Sequence, residues 1–399
     1  MYKKSRNYIL LIFFTILICY LILILCDWVI GKINLGNLNF ITEAKKIELE
    51  LKKENLKLKE EAKKKGFNNL YVPSFYDYDG PFFELSKNLN IAPVGSKPND
   101  MAYYCNEGYG LITYKTDRYG LRNQDEKWDK KIETFFIGDS FAHGACVNEK
   151  DTIVSKYELY TGKNSLNLAS SGNSPSHYSA LSNIFIPIFK PKEVFIIFYA
   201  NDKHAAYDSQ LYDLYVSQNL SFFELSNNQI KLKSNYEKLF IKNKKENLAQ
   251  NFISSKNYFE KKFPYFFIAF KSLKYRSSLP SIRKALSLTK SIKIIPSTID
   301  FNYGEPSRKA IDITLKHCVK FNCKVTIVYI PASSFWKPQV GEKDFINFLS
   351  SYSNLKRINF INTSDIINTE KDSPDYAIKG GHLSPKGYEK VVKYILSKN

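Results

Sequence analysis

The sequence has no Cys-x-x-Cys pair and only five histidines, none spaced as metal ligands. Zinc sites of the usual spacing are therefore excluded, and no metal or cofactor is expected. Also missing is any Arg-rich cluster interleaved with aromatics, and no nucleic-acid-binding motif is present. The excess of 58 Lys and Arg over 39 Asp and Glu, a net charge of +19, is accordingly not read as a nucleic-acid signal. It accompanies a general abundance of Lys, Asn, Ile, Phe and Tyr, a bias of the whole chain. No internal repeat is apparent. What is present is ample core material. Hydrophobic residues make up 44% and aromatics 15% of 399 positions, enough for one large domain with appendages and unlike a disordered chain.

Tyr8 to Cys26 carries no charge and is almost wholly apolar. As a helix at ~1.5 Å per residue this run spans roughly 28 Å, close to the hydrocarbon thickness of a bilayer. No small-x-small cleavage site follows; the run leads into Asp27 and Trp28. Cys26 is not preceded by a small residue, which argues against a bacterial lipidation site. An uncleaved single-pass anchor is expected. Lys3, Lys4 and Arg6 on its short flank place the N-terminus in the cytoplasm, although Lys32, Lys45 and Lys46 follow on the other side. The main domain would then be periplasmic or extracellular, where disulfides persist. Cys105 and Cys146 both sit in turn-like, Gly-containing contexts and are expected to pair, with Cα atoms within about 7 Å. For Cys318 and Cys323 a disulfide and two buried free thiols both remain open.

Beyond the anchor the chain changes character several times. Thr42 to Lys65 is rich in Glu, Lys and Leu, with Glu48–Lys52, Glu60–Lys64 and Glu61–Lys65 as i,i+4 pairs and Gly66 as a helix stop. Its thin stripe of Ile47, Leu51, Leu58 and Ala62 fits a stalk, a weak coiled coil or a helix lying on the main domain. Leu70 to Lys130 is aromatic and irregular, with a short strand at 109–114. Beyond Glu133, short apolar runs at 134–138, 165–169, 194–199, 325–330 and 358–361 alternate with helix-length stretches. Continuous apolar strands between helices imply a parallel sheet covered on both faces. About 100 residues from His204 to Glu305 interrupt the alternation. A structureless loop of that length is uncommon, so a largely helical insertion is expected, with helices around 236–251 and 275–290. The organisation is thus a cytoplasmic flank and anchor (1–35), a charged helical stalk (36–66), a lead-in packed on the main domain (67–130) and the main domain (131–399), interrupted at 205–305.

The sharpest chemical signal is Gly138-Asp139-Ser140 at the end of the 134–138 strand and before a helix. Open parallel sheets bind ligands at the carboxyl ends of their strands. A serine at a helix start has free backbone N–H groups beside it that can hold a negative oxygen. Ser is also a common N-cap, so these three residues alone decide little. Three further blocks fall at strand ends or before a helix: Ser171-Gly172-Asn173, Ala200-Asn201-Asp202 and Gly380-Gly381-His382. Asp139 is expected to support the turn by hydrogen bonds, Asp202 either to contact the substrate or, as the favoured reading, to cap a helix, and the lone His143 and His204 to be structural or solvated. No Gly-x-Ser-x-Gly elbow is present, which argues against an α/β-hydrolase.

Taken in order, Ser140, Gly172, Asn201 and His382 make the chain resemble the SGNH (GDSL-type) hydrolases over Glu133–His204 and Val325–Asn399. The resemblance implies a flavodoxin-like three-layer α/β/α sandwich on a parallel five-stranded sheet. It also implies Ser140 as nucleophile and His382 as its base, with the N–H groups of Ser140 and Gly172 and the Asn201 amide as oxyanion hole. The substrate it suggests is an acylated carbohydrate or other small ester. One departure stands out. The family usually has an Asp three residues before this histidine, and Lys379 stands there. An ammonium cannot accept the imidazole N–H. Asp375, as first candidate, Asp372 or a backbone carbonyl could serve instead. A Ser–His dyad, or a catalytically silent module that binds glycan or helps assemble an envelope complex, are the alternatives. Ser384 and Pro385 read as the start of a terminal helix whose face is Tyr388, Val391, Val392, Ile395 and Leu396. Its docking would hold the His382 loop without help from Lys379, which is expected to point away from the imidazole.

Overall fold

The computed structural model describes residues 54–70, 95–204, 304–333 and 342–398 except 371, with residues 50 and 72 and scattered positions among 14–26. Most of the expected anchor at Tyr8–Cys26 and nearly all of the expected insertion, with its helices near 236–251 and 275–290, lie outside the described residues. Among the described residues no helix is long and apolar enough to cross a membrane. By its contacts the chain divides into two units, Met1–Glu43 with Ile241–Phe301 and Ala44–Phe240 with Asn302–Asn399. The second holds every described residue beyond position 26.

The centre of this second unit is a parallel sheet of five strands: β4 (Thr134–Gly138), β5 (Ser165–Asn167), β6 (Glu193–Tyr199), β7 (Lys324–Ile330) and β8 (Asn359–Asn362). They lie in the order β5-β4-β6-β7-β8, every neighbouring pair parallel. Counted within the sheet this is 2-1-3-4-5, the flavodoxin-like order, and the direction of winding switches beside β4. The five expected runs thus form one sheet. Side chains alternate across it. Phe135, Ile137, Val194, Ile196, Phe198, Ile327 and Tyr329 enter one core; Phe136, Phe195, Ile197, Val328 and Ile330 enter the other. Both faces are buried, which is why these strands read as unbroken apolar runs in the sequence.

The helices of this unit are α1 (Ser140–His143), α2 (Ile153–Thr161), α3 (Pro175–Phe189), α4 (Glu305–Phe321), α5 (Glu342–Lys356) and α6 (Pro385–Lys398). Residues from α3, α4 and α5 fill the first core, and residues from α1, α2 and α6 the second. In α6, Tyr388, Val391, Val392 and Ile395 are buried as the spacing predicts. Ser384 Oγ accepts the Gly387 N–H at 3.0 Å and donates to the Pro374 carbonyl at 2.6 Å, tying the helix start to the preceding loop.

The lead-in is built into the domain. A small sheet joins β1 (Asn68–Asn69), β2 (Met101–Tyr103) and β3 (Thr113–Lys115); the expected strand at 109–114 is realised only at its end. Tyr119, Leu121, Trp128 and Ile132 belong to the first core. Buried Asp117 accepts the N–H groups of Tyr119 and Leu121, the Asn123 amide and the Trp128 indole. The Arg122 guanidinium donates to the Gly144 and Val147 carbonyls at 2.7 and 2.8 Å. The 54–64 helix, whose Ala62 is buried, lies on this unit: the Asn106 amide and Lys379 ammonium reach the Glu54 carboxylate at 3.4 and 3.6 Å. Two disulfides are present, Cys105–Cys146, with Cα atoms 5.1 Å apart, and Cys318–Cys323.

Candidate active site

Ser140 opens α1 directly after β4. Asp139 is the N-cap, its Oδ1 accepting the Phe141 N–H at 2.9 Å, so Ser140 is the first helical residue and not the cap. Gly138 is needed for the turn, because a Cβ there would press on Ala142 and on the Ile197 carbonyl of the neighbouring strand. Ser140 Oγ lies 2.9 Å from His382 Nε2. The two residues, 242 positions apart, are brought together by the winding of the chain, which sets the β4 terminus beside the loop entering α6.

The other imidazole nitrogen decides the chemistry. His382 Nδ1 lies 2.7 Å from Glu107 Oε1, and the His382 backbone N–H donates to Glu107 Oε2 at 3.1 Å. An ionised carboxylate only accepts, so Nδ1 carries the hydrogen and Nε2 is left as the acceptor for the Ser140 hydroxyl. Burial raises the Glu107 pKa, but the charge of His382 and hydrogen bonds from it and from the Gly381 N–H outweigh this, and the net shift is downward. Burial likewise lowers the His382 pKa; the Glu107 charge and hydrogen bond, with the Asp139 charge, overcome it and hold the imidazole above its ordinary value. Serine, histidine and carboxylate form one hydrogen-bonded line, the arrangement that activates a hydroxyl for attack.

The carboxylate expected at Asp375 is a correction. Asp375 is buried, accepts the Asn368 N–H at 2.9 Å and pairs with Lys390 at 2.7 Å. It braces the loop before α6, while Glu107 comes from the lead-in between β2 and β3. Lys379 turns its ammonium toward Glu54, and its backbone N–H donates to the Glu107 carbonyl at 3.1 Å. Gly380 provides the space for the exchange: a Cβ there would overlap Glu107 Cγ, Cδ and Oε2. Glu107 was missed because it belongs to no motif. A signal existed nonetheless, since a bridge from Cys105 to Cys146 draws the residues beside Cys105 toward Ser140.

Ser140, Gly172 and Asn201 lie after β4, β5 and β6, at the carboxyl edge of the sheet. Among the described residues the peptide N–H groups of Ser140 and Gly172 have no protein acceptor. Gly172 takes φ +76°, which turns its peptide as a side-chain-bearing residue rarely would. The Asn201 amide lies near enough to the Asp139 carboxyl to favour its charged form. Burial raises the Asp139 pKa to about 6 despite the Phe141 N–H and the nearby His382 charge. Asp202 does not cap a helix as expected. It is buried, accepting the Tyr199 N–H at 3.0 Å and the Tyr178 hydroxyl at 3.1 Å. His143 is structural: Tyr114 Oη and Ser171 Oγ lie at its two ring nitrogens, and burial drives its pKa well down.

No family model matches the sequence, and neither does any curated protein. Among solved structures the chain is similar to a protein assigned to the lipolytic G-D-S-L family from Desulfitobacterium hafniense, with 11% identity and a TM-score of 0.37 over 67% of this chain and 99% of that one. It is also similar to the family 3 carbohydrate esterase of Clostridium thermocellum, with 13% identity and a TM-score of 0.35 over 67% and 95% of the two chains. A GDSL-like lipase from Bacteroides thetaiotaomicron shows 10% identity and a TM-score of 0.34 over 67% and 88%. At 10–13% identity these likenesses assign no activity to the chain.

Proposed function

We propose that this protein is a membrane-anchored, extracytoplasmic serine esterase or acyltransferase working through Ser140, His382 and Glu107. The observation that carries the reading is the unbroken line Ser140 Oγ to His382 Nε2 at 2.9 Å and His382 Nδ1 to Glu107 at 2.7 Å. Ser140 Oγ attacks an ester carbonyl and passes its proton to Nε2. Glu107 stabilises the imidazolium that forms. The N–H groups of Ser140 and Gly172, with the Asn201 amide, hold the developing oxyanion. The imidazolium then protonates the leaving alkoxide, and a covalent acyl-Ser140 remains. A water or a sugar hydroxyl, deprotonated by His382, takes the acyl group and regenerates the serine.

An acylated carbohydrate is the proposed substrate, on the strength of the anchored placement and the sequence resemblance. The alternative of a silent glycan-binding module drew on Lys379, whose ammonium faces Glu54, while a carboxylate supplied from elsewhere meets the imidazole. A serine-reactive fluorophosphonate distinguishes the two: the wild type should label, and Ser140→Ala should not. A wild type that stays unlabelled, though folded, refutes the enzymatic reading. With acetylated glycans, free acetate measures hydrolysis and acetylated acceptor measures transfer.

A further inference from the structure

Glu107 is not held by the main sheet. It sits on the loop between β2 and β3, strands of only three residues each. Near their ends that hairpin is closed by Tyr104 N–H to the Ile112 carbonyl at 2.9 Å and Ile112 N–H to the Cys105 carbonyl at 3.0 Å. Within the loop, Asn106 Oδ1 accepts the N–H groups of Gly108 and Gly110. These bonds shape the loop but do not aim it at His382.

The covalent link does. Cys105, two residues before Glu107, is bonded to Cys146, just beyond the nucleophile helix. Cys146 is well anchored. The buried Arg122 guanidinium grips the carbonyls on either side of it, at Gly144 and Val147. Cys146 Sγ itself lies 4.0 Å from His382 Nδ1, against the nitrogen that Glu107 engages. The bridge therefore spans from the segment that follows Ser140 to the segment that carries the acid. Without it, Glu107 would keep one backbone bond from Lys379 and its own two bonds to His382.

We propose that the Cys105–Cys146 disulfide is the positioning element of the triad, so that the active site is completed by oxidation and relaxed toward a Ser–His dyad by reduction. This rests on the Ser140–His382–Glu107 reading. The chemistry is thiol–disulfide exchange with a dithiol. A dithiol thiolate attacks Cys105 Sγ, and the Cys146 thiolate leaves and is protonated. The second reductant thiol, as thiolate, then displaces Cys105 as its thiolate, which is protonated in turn. Two protein thiols and one cyclic disulfide result, two electrons having passed to the protein. The consequence is compartmental, because a chain still in a reducing cytoplasm would hold its acid loose.

The test uses the full chain in detergent, labelled by fluorophosphonate, oxidised or reduced with dithiothreitol, with the Cys105 and Cys146 thiols counted by mass spectrometry. Cys318→Ser with Cys323→Ser removes the second bridge from the comparison. Reduction should slow labelling about 100-fold, the scale of loss when a catalytic group is misplaced by ~1 Å. Re-oxidation with diamide should restore it, and the acidic limb of the rate profile should move to lower pH on reduction. In Glu107→Gln, reduction should add little. Equal slowing of wild type and Glu107→Gln would mean general loosening and would overturn the proposal, as would a reduced wild type within twofold of the oxidised rate. An oxidised wild type that never labels defeats the triad reading itself; one that labels but ignores reduction defeats this inference alone.

Discussion

Replacing Glu107 with Gln changes the site by one atom and tests it severely. The wild-type carboxylate meets two donors, His382 Nδ1–H at 2.7 Å and the His382 backbone N–H at 3.1 Å. A glutamine amide has one oxygen and one NH₂, so it can satisfy only one of them. With the oxygen on the backbone N–H, the NH₂ faces Nδ1 and forces the hydrogen onto Nε2, which can then no longer accept the Ser140 proton. With the oxygen on Nδ1–H, the NH₂ confronts the backbone N–H, and that donor is left unsatisfied at a cost of about 1–3 kcal/mol. The amide also supplies no charge for the imidazolium. Amide replacement of the acid in a serine triad lowers kcat about 10⁴-fold. A loss of about 10³–10⁴, or ~4–5.5 kcal/mol in the barrier, is expected here. The assay is initial-rate hydrolysis of p-nitrophenyl acetate, with Ser140 labelling as a second readout. A Glu107→Gln protein that is folded and within tenfold of wild type would show that the carboxylate is a bystander and that a Ser–His dyad suffices.

The same geometry sets other outcomes. Gly380→Ala should approach the activity of Glu107→Gln, because the added Cβ takes the space of the acid; full activity would show that Glu107 need not sit there. Activity should fall as pH drops through the raised His382 pKa, since the protonated imidazole is no base, and in Glu107→Gln the residual activity should show that limb at lower pH. The His–Glu pair also stabilises the fold in a defined window: the depressed Glu107 pKa adds stability that is complete above about its ordinary 4.5, and the raised His382 pKa adds stability that is complete below about its ordinary 6.5 and lost as pH rises through the raised value. Thermal melts should accordingly separate wild type from Glu107→Gln more at about pH 5.5 than at about pH 8.5, and an equal gap would count against the pair. Arg122→Ala should cost about 3 kcal/mol in a denaturant melt by stranding the buried Gly144 and Val147 carbonyls, and a change below about 1 kcal/mol would mean that water replaces the guanidinium.

Local features were legible in the linear chain. Buried strands are unbroken apolar runs, so all five could be read within a residue or two, and their alternation with helices implied a parallel sheet. Gly138-Asp139-Ser140 and the loop before α6 could be placed because a strand-to-helix turn and a helix start each have their own chemistry over a few neighbouring residues. The Cys105–Cys146 pairing was also legible, from compartment and turn context. The acid was not. Asp375 lies nearer His382 in sequence, but its side chain is turned to Asn368 and Lys390 and braces the loop instead. Glu107 lies 275 positions from the histidine it touches and belongs to no repeat, run or spacing. Only folding in three dimensions could choose it. The small β2–β3 hairpin, its covalent tie to the segment after α1 and the missing side chain at Gly380 together leave room for one carboxylate at Nδ1, and a linear pattern does not encode which distant loop supplies it.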